Sequence, residues 1–229
     1  MKNFFCLLIA MFPLLNLFSQ SNKLLSIYGQ GGANFLKSDY NTTLVGYNGG
    51  GGILLYLTSS QSVDFGIIGN YNYYLFQGRD NSGKGYGYFR TKSHLLSSGL
   101  FFNFYLTQKS SLRFRFNSGI LFFDPLDGSY DPLPNNRNGV YNKSIFTVAP
   151  SLDYNIYLSD NFSLDFSFEY VQPFTDYLDD IELWKWDYGL STKLGISIYF
   201  TSVQDADEDG IIDKYDKCPN EKEDFNGYK

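Results

Sequence analysis

From position 145 to 158 the chain alternates. Phe146, Val148, Pro150, Leu152, Tyr154, Ile156 and Leu158 share one face, and Ile145, Thr147, Ala149, Ser151, Asp153, Asn155 and Tyr157 share the other. The same period of two recurs over 112–122, 162–170 and 190–200. Alternation sustained over ten or so residues predicts β-strands with one apolar face. Eight such segments are predicted, at 23–36, 44–57, 63–76, 93–107, 112–123, 144–158, 162–175 and 188–200.

A soluble sandwich also alternates, but three features point elsewhere. The strands are about twice the usual length of roughly 5–6 residues. The non-apolar face mixes small residues with isolated charges, which is not a solvated face. The connections alternate between short turns, after Tyr56, Tyr105 and Tyr157, and long segments at 37–43, 77–92, 124–143 and 176–187. Short turns at one rim and long loops at the other characterise outer-membrane barrels, and each strand exceeds the roughly 9–11 residues that a tilted crossing needs. The pattern therefore predicts an all-β fold, an eight-stranded antiparallel transmembrane β-barrel over 22–202. Its apolar face would meet outer-membrane lipid.

The turns carry a repeat: YLTSSQS at 56–62, YLTQKSS at 105–111, YLSDNFS at 157–163 and YFTSVQD at 199–205. Each tyrosine closes an even-numbered strand at the short-turn rim. Parity sends Tyr56, Tyr105, Tyr157 and Tyr199 into the lumen as a plug, and sends Leu57, Leu106, Leu158 and Phe200 toward lipid. Tyr71, Tyr73, Tyr170 and Phe174 would belong to the opposite aromatic girdle, where rings with a polar tip suit the lipid–water boundary.

The same parity places Asp64, Arg113, Arg115, Asp153, Asp165, Glu169 and Lys193 inside. Four acids and three bases shielded from water must pair. Arg113 and Arg115 are expected to reach Asp153, and Lys193 to reach Asp165 or Glu169. Eight strands leave an interior that side chains just fill, so an internal ion-paired plug is favoured over an ion channel. Gly49 to Gly52 are expected to interrupt strand two opposite Gly29, Gly31 and Gly32, bending the wall and making room for Tyr28. No helix follows them, so they are not a phosphate cradle.

Composition supports strands. Aromatics make up 19 % of 229 residues and there are 22 glycines. Eighteen Lys and Arg stand against 24 Asp and Glu, a net charge of −6, with no basic patch for nucleic acid. The start, MKN followed by FFCLLIAMFPLLNLF and SQS, reads as a signal peptide over 1–21. With Cys6 in the leader, Cys218 is left without an internal disulfide partner. The single histidine, His94, falls outward by parity, and no nucleophile–base arrangement is legible around it. The chain is therefore read as a non-enzyme. The sequence leaves the oligomeric state open.

The acidic tail at 203–229 is the most specific stretch. In DADEDGIIDKYDKCP, Asp205, Asp207 and Asp209 take positions one, three and five of a loop, and Gly210 permits a sharp turn at six. The Ile211 carbonyl, Asp213 and Asp216 take seven, nine and twelve. Convergent oxygen ligands of this kind suit Ca²⁺. The twelfth residue is Asp where an EF-hand has Glu, and no amphipathic helices flank the loop.

This tail resembles the thrombospondin type 3 repeat, and the barrel pattern before it resembles the N-terminal half of OmpA-like outer-membrane proteins. The resemblance implies a structural anchor in the outer membrane of a diderm bacterium, with the tail in the periplasm. In longer members such a linker leads to a peptidoglycan-binding domain. Here the sequence stops at Lys229, before a second cysteine or further acidic loops. On that pattern the chain is either a fragment of a longer form or lacks the anchoring domain. The alternatives to an anchor are a surface adhesin or ligand-binding barrel working through 77–92 and 124–143, and a narrow porin.

Overall fold

The computed structural model describes residues 23–40, 42–58, 62–79, 87–182 and 186–201. The leader and the tail, including Asp205, Asp207, Asp209, Ile211, Asp213, Asp216 and Cys218, lie outside the described residues.

Eight strands form one closed antiparallel barrel: β1 (Lys23–Lys37), β2 (Thr42–Thr58), β3 (Val63–Arg79), β4 (Tyr88–Thr107), β5 (Ser110–Leu126), β6 (Ser144–Ser159), β7 (Phe162–Pro173) and β8 (Tyr188–Thr201). Each pairs with its neighbours in sequence, and β8 closes on β1 from Lys23↔Thr201 to Lys37↔Tyr188. Closure satisfies backbone groups that hydrocarbon could not. A short helix, α1 (Pro134–Arg137), lies in the β5–β6 connection.

Over its short-turn half the wall is apolar outside and largely polar inside, the reverse of a soluble barrel. Below the loop-side rim the outward row of β4 reads Leu96, Ser98, Leu100, Phe102, Phe104 and Leu106, while Ser93, Leu95, Phe101 and Asn103 are buried within. Hydrocarbon is the medium that such a surface requires.

Two expectations need correction. The β3–β4 connection is not 77–92, because both strands continue upward and pair Gln77↔Arg90 and Arg79↔Tyr88. Arg79, Arg90 and Lys92 gave this segment the look of a loop. They lie on the outward face above the apolar belt, while Phe76, Phe89 and Thr91 fill the inside. Nor do Gly49 to Gly52 interrupt β2, which runs through them with Gly31↔Gly49 and Gly29↔Gly51 in register. A Cβ on Gly52 would stand 2.9 Å from Tyr28 Cε1 and 2.4 Å from the Gly69 carbonyl oxygen. Gly52 thus makes the room that the Tyr28 ring occupies.

Candidate functional site

The tyrosine repeat is built on a β-bulge. β2 and β3 pair Tyr56↔Gly66 and then Thr58↔Phe65; β4 and β5 pair Tyr105↔Ser111 and then Thr107↔Ser110; β6 and β7 pair Tyr157↔Ser163 and then Ser159↔Phe162. At each turn the even strand carries one extra residue, so the strand bends and re-aims its side chains. The extra residue is Leu57, Leu106 or Leu158, each 59 % exposed on the lipid side. At the β8–β1 seam the shift falls on β1, between Lys23 and Leu25. The motif's hydroxyl then caps the turn: Thr107 Oγ1 accepts the Lys109 N–H at 3.1 Å and lies 2.8 Å from Ser110 Oγ. Three of the four tyrosine N–H groups reach the neighbouring turn. Tyr105 donates to the Ser62 carbonyl at 3.0 Å, Tyr157 to Lys109 at 2.9 Å and Tyr199 to Asn161 at 2.9 Å.

Inside the short-turn rim the rings converge on one cation. Lys23 Nζ stands 4.9, 4.3 and 4.4 Å from the ring centres of Tyr105, Tyr157 and Tyr199. It donates to the Tyr105 hydroxyl at 2.5 Å, which donates to Asp64 Oδ2 at 2.6 Å. Asp64 also accepts from Asn103 Nδ2 at 3.1 Å. An ammonium is attracted by the negative faces of aromatic rings, so the rings share the work of holding it with one carboxylate reached through a hydroxyl. Tyr56 packs edge-on against Phe101 at 5.0 Å beside Leu54 and Ile68, which completes the gasket.

Above it lies the charged layer. Arg115 and Asp153 pair at 2.7 Å with side chains 1 % and 3 % exposed. Arg115 also donates to Tyr28 Oη at 3.0 Å and to Ser167 Oγ at 2.9 Å, and Ser167 donates to Asp153 at 2.7 Å. Lys193 and Glu169 pair at 2.7 Å, with Asn72 Oδ1 accepting from Lys193 at 3.1 Å and Tyr74 Oη donating to Glu169 at 2.6 Å. The register sets Arg113 opposite Asp153, yet Arg115 takes that carboxylate along the diagonal. Long side chains span such diagonals readily. Arg113 instead donates to Tyr199 Oη at 3.1 Å, and Asp165 accepts from Ser163 at 2.7 Å and from Ser197. Arg113 therefore does not pair with Asp153, while Lys193 takes Glu169, one of its two expected partners. Serine and tyrosine hydroxyls, which parity alone did not single out as partners, share the satisfaction of the lumen charges.

The loop-side half of the lumen is apolar. Leu36, Phe76, Phe89, Leu95, Leu121 and Val171 are buried in one cluster with Tyr74, whose ring stacks on Phe76 at 5.4 Å. A lid covers it, made from the β5–β6 and β7–β8 connections. Leu133 and Leu178 drop into the cluster. Asp180 ties the two connections together. It accepts the N–H groups of Asn135 and Asn136 at 2.9 and 2.7 Å and the Tyr141 hydroxyl at 2.6 Å, while its carbonyl accepts Asn135 Nδ2 at 2.7 Å. Its φ of +70° is the left-handed region, tolerated by Asp more than by most residues. Burial first, then the hydrogen bond to Asp180, raises the Tyr141 pKa well above the usual range.

The lid also holds buried carboxylates. Asp179 accepts the Asp39 and Ile181 N–H groups, both at 3.0 Å, and Asp187 accepts the Leu178 N–H at 2.9 Å. Among the described residues no group of three or more His, Cys, Asp or Glu is arranged to hold a metal ion. His94 is exposed on the outer wall, its Nδ1 2.7 Å from Tyr71 Oη and its ring edge-on to Tyr73 at 5.2 Å. Phe174 stands between Phe146 at 5.8 Å and Trp186 at 5.2 Å on the same rim.

No protein-family model matches the chain, and no curated protein sequence matches it. Solved structures do. Neisserial surface protein A aligns with a TM-score of 0.54 at 8 % identity, over 77 % of this chain and 97 % of that one. Ail, the attachment invasion locus protein of Yersinia pestis, aligns at 0.47 with 15 % identity, over 78 % and 99 %. OprG, an outer membrane protein of Pseudomonas aeruginosa, aligns at 0.41 with 10 % identity, over 80 % and 99 %. At these identities the likeness to the Neisserial protein is one of fold: the chain is an eight-stranded transmembrane β-barrel of the kind found there.

Proposed function

We propose that this chain is a structural barrel of the outer membrane of a diderm bacterium, a closed anchor with its short turns in the periplasm and its long loops outside. One observation carries this reading: buried side chains occupy the lumen at three successive levels. The tyrosine gasket closes the short-turn rim, the Arg115–Asp153 and Lys193–Glu169 pairs fill the middle, and the apolar cluster and lid close the loop side. Such an interior favours an anchor over a porin. Reconstitution in a planar bilayer tests it. No stepwise current is expected from the folded barrel, and steady unitary conductance would replace the anchor with a pore.

The tail reading stands on sequence. We propose that Asp205, Asp207, Asp209, the Ile211 carbonyl, Asp213 and Asp216 bind Ca²⁺ in the periplasm, and that in a longer form the linker leads to a peptidoglycan-binding domain. Calorimetry on the Asp207→Ala, Asp209→Ala double variant should show weakened Ca²⁺ binding with unchanged barrel insertion. Identical binding would end the claim. The outward, tyrosine-bonded position of His94 supports a non-catalytic role. A second reading, a binding surface on the outer loops, draws support from the lid. Its Asp180 bonds fix the β5–β6 and β7–β8 connections in one shape while Tyr130 and Val140 stay exposed.

A further inference from the structure

Just above the apolar belt, the outer wall of β4–β6 carries a pocket of about 510 Å³ that the lumen reading leaves unused. Lys92 and His94 reach it from β4, Phe122 and Asp124 from β5, Lys143 from the end of the β5–β6 connection and Ser144 from the start of β6. Asp124 has two lysines for neighbours. It is the register partner of Lys92, and its carboxylate accepts from Lys143 at 2.8 Å. One carboxylate can position two cations but cannot neutralise both. The Lys143 side chain keeps 52 % of its surface open. Lys92 also stands 5.1 Å from the ring of Tyr130, which Arg90 covers at 4.0 Å, so a third cation lies beside the pocket. Tyr71 occupies Nδ1 of His94, which leaves Nε2 as that ring's remaining polar atom.

Beneath the pocket the wall turns apolar at once. Leu96, Ile120, Phe122 and Phe146 are 55, 41, 46 and 49 % exposed on the lipid side. A free anion has no use for that floor, and an acyl chain has no use for the lysines. A molecule with an anionic head directly above hydrocarbon uses both. Lysines act on phosphate as mobile point charges and extend readily along a membrane boundary.

We propose that this pocket takes the phosphate of a membrane-lipid headgroup, gripped by Lys92 and Lys143, with the acyl chains lying along Phe122 and Phe146. The proposal rests on the outer-membrane reading only for the leaflet from which the lipid comes.

The test uses the purified full chain in detergent with lipid A as the probe. Native mass spectrometry follows lipid retention, and circular dichroism verifies that each variant is folded. The wild type should retain lipid A. The Lys92→Gln, Lys143→Gln double variant should bind it about tenfold more weakly or worse, and a Lys37→Gln, Lys109→Gln control, which removes two exposed cations elsewhere, should bind as wild type. Lipid A stripped of its phosphates should be held by wild type no better than lipid A is held by the double variant. Equal retention of lipid A by the folded double variant, or of the stripped lipid by wild type, would overturn the proposal. Inorganic phosphate retained alone with the same lysine dependence would overturn the lipid assignment. Fractionation of cell membranes tests the cellular address separately, so failure there leaves the binding result standing.

Discussion

Lys193 and Glu169 face each other between β8 and β7 with ammonium and carboxylate 2.7 Å apart and neither side chain exposed. Tyr74 adds its hydroxyl to the same carboxylate oxygen at 2.6 Å. Removing one member of a buried pair leaves the other charged and unpartnered, which costs about 3–5 kcal/mol, whereas replacing both with apolar groups is far milder. Glu169→Ala should therefore destabilise the barrel by about that much, and Lys193→Met combined with Glu169→Leu by clearly less. Urea unfolding from lipid vesicles measures both. A double variant as unstable as the sum of the singles would show that the two charges are not coupled.

Lys23 is held by three rings as well as by the Tyr105–Asp64 link. A cation over desolvated aromatic faces is worth about 1–2 kcal/mol. Lys23→Gln keeps a donor for the Tyr105 hydroxyl but gives up the charge, so it should lower stability by about that amount. The same substitution in a Tyr157→Leu, Tyr199→Leu background should cost distinctly less, because the rings it relied on are gone. Equal cost in both backgrounds would assign the contribution to the Tyr105–Asp64 link alone.

The strands were legible because lipid imposes alternation on any wall with a polar lumen. Their limits agree with the pattern to within three residues except at the start of β4, where Arg90 and Lys92 gave a paired segment the polarity of a loop. The turn tyrosines were legible as a repeat, but the bulge that explains it was not, since one extra residue leaves the local composition unchanged. The apolar loop-side half of the lumen was harder to see. Phe76, Phe89 and Leu121 point inward while outward neighbours such as Phe122 are apolar too, so period two loses its contrast there. The lid was hidden for another reason. Asp180 meets Asn135 from 45 residues away, with neither glycine nor a turn motif to mark it.

Two glycines of the β1–β2 face separate crowding from simple exposure. A Cβ on Gly52 would collide with the Gly69 carbonyl oxygen and with Tyr28, the ring that also hydrogen-bonds Arg115. Gly52→Ala should thus cost about 1–3 kcal/mol, as overpacking does. Gly29 has nothing within 4 Å of such a Cβ and faces lipid. Gly29→Ala should stay within about 0.5 kcal/mol of wild type or gain slightly. Thermal unfolding in detergent ranks the two, and a Gly52→Ala barrel as stable as Gly29→Ala would show that Tyr28 yields freely.

The lid should be tighter in acid than in alkali. Burial pushes the Asp179 carboxyl up to about 7, and the nearby Asp39 adds to the effect; burial likewise raises Asp187 well above the usual range, with Asp179, Asp176 and Asp39 facing it. An unfolded aspartate titrates near 3.9, so between about pH 4 and 7 the closed lid binds more protons than the open one. Stability of the closed lid then falls as pH rises through that window. The Ile181 and Leu178 amides, bonded to Asp179 and Asp187, report it directly. Their hydrogen exchange, corrected for the intrinsic rate, should be about ten- to a hundredfold faster at pH 8 than at pH 5. Asp179→Asn, which cannot charge and whose amide oxygen can still accept the Ile181 N–H, should flatten the dependence and preserve protection of Ile181 at pH 8. Protection that is constant, or that rises with pH, would mean that the carboxylates are ionised throughout and that the lid is held by Asp180 and its partners alone.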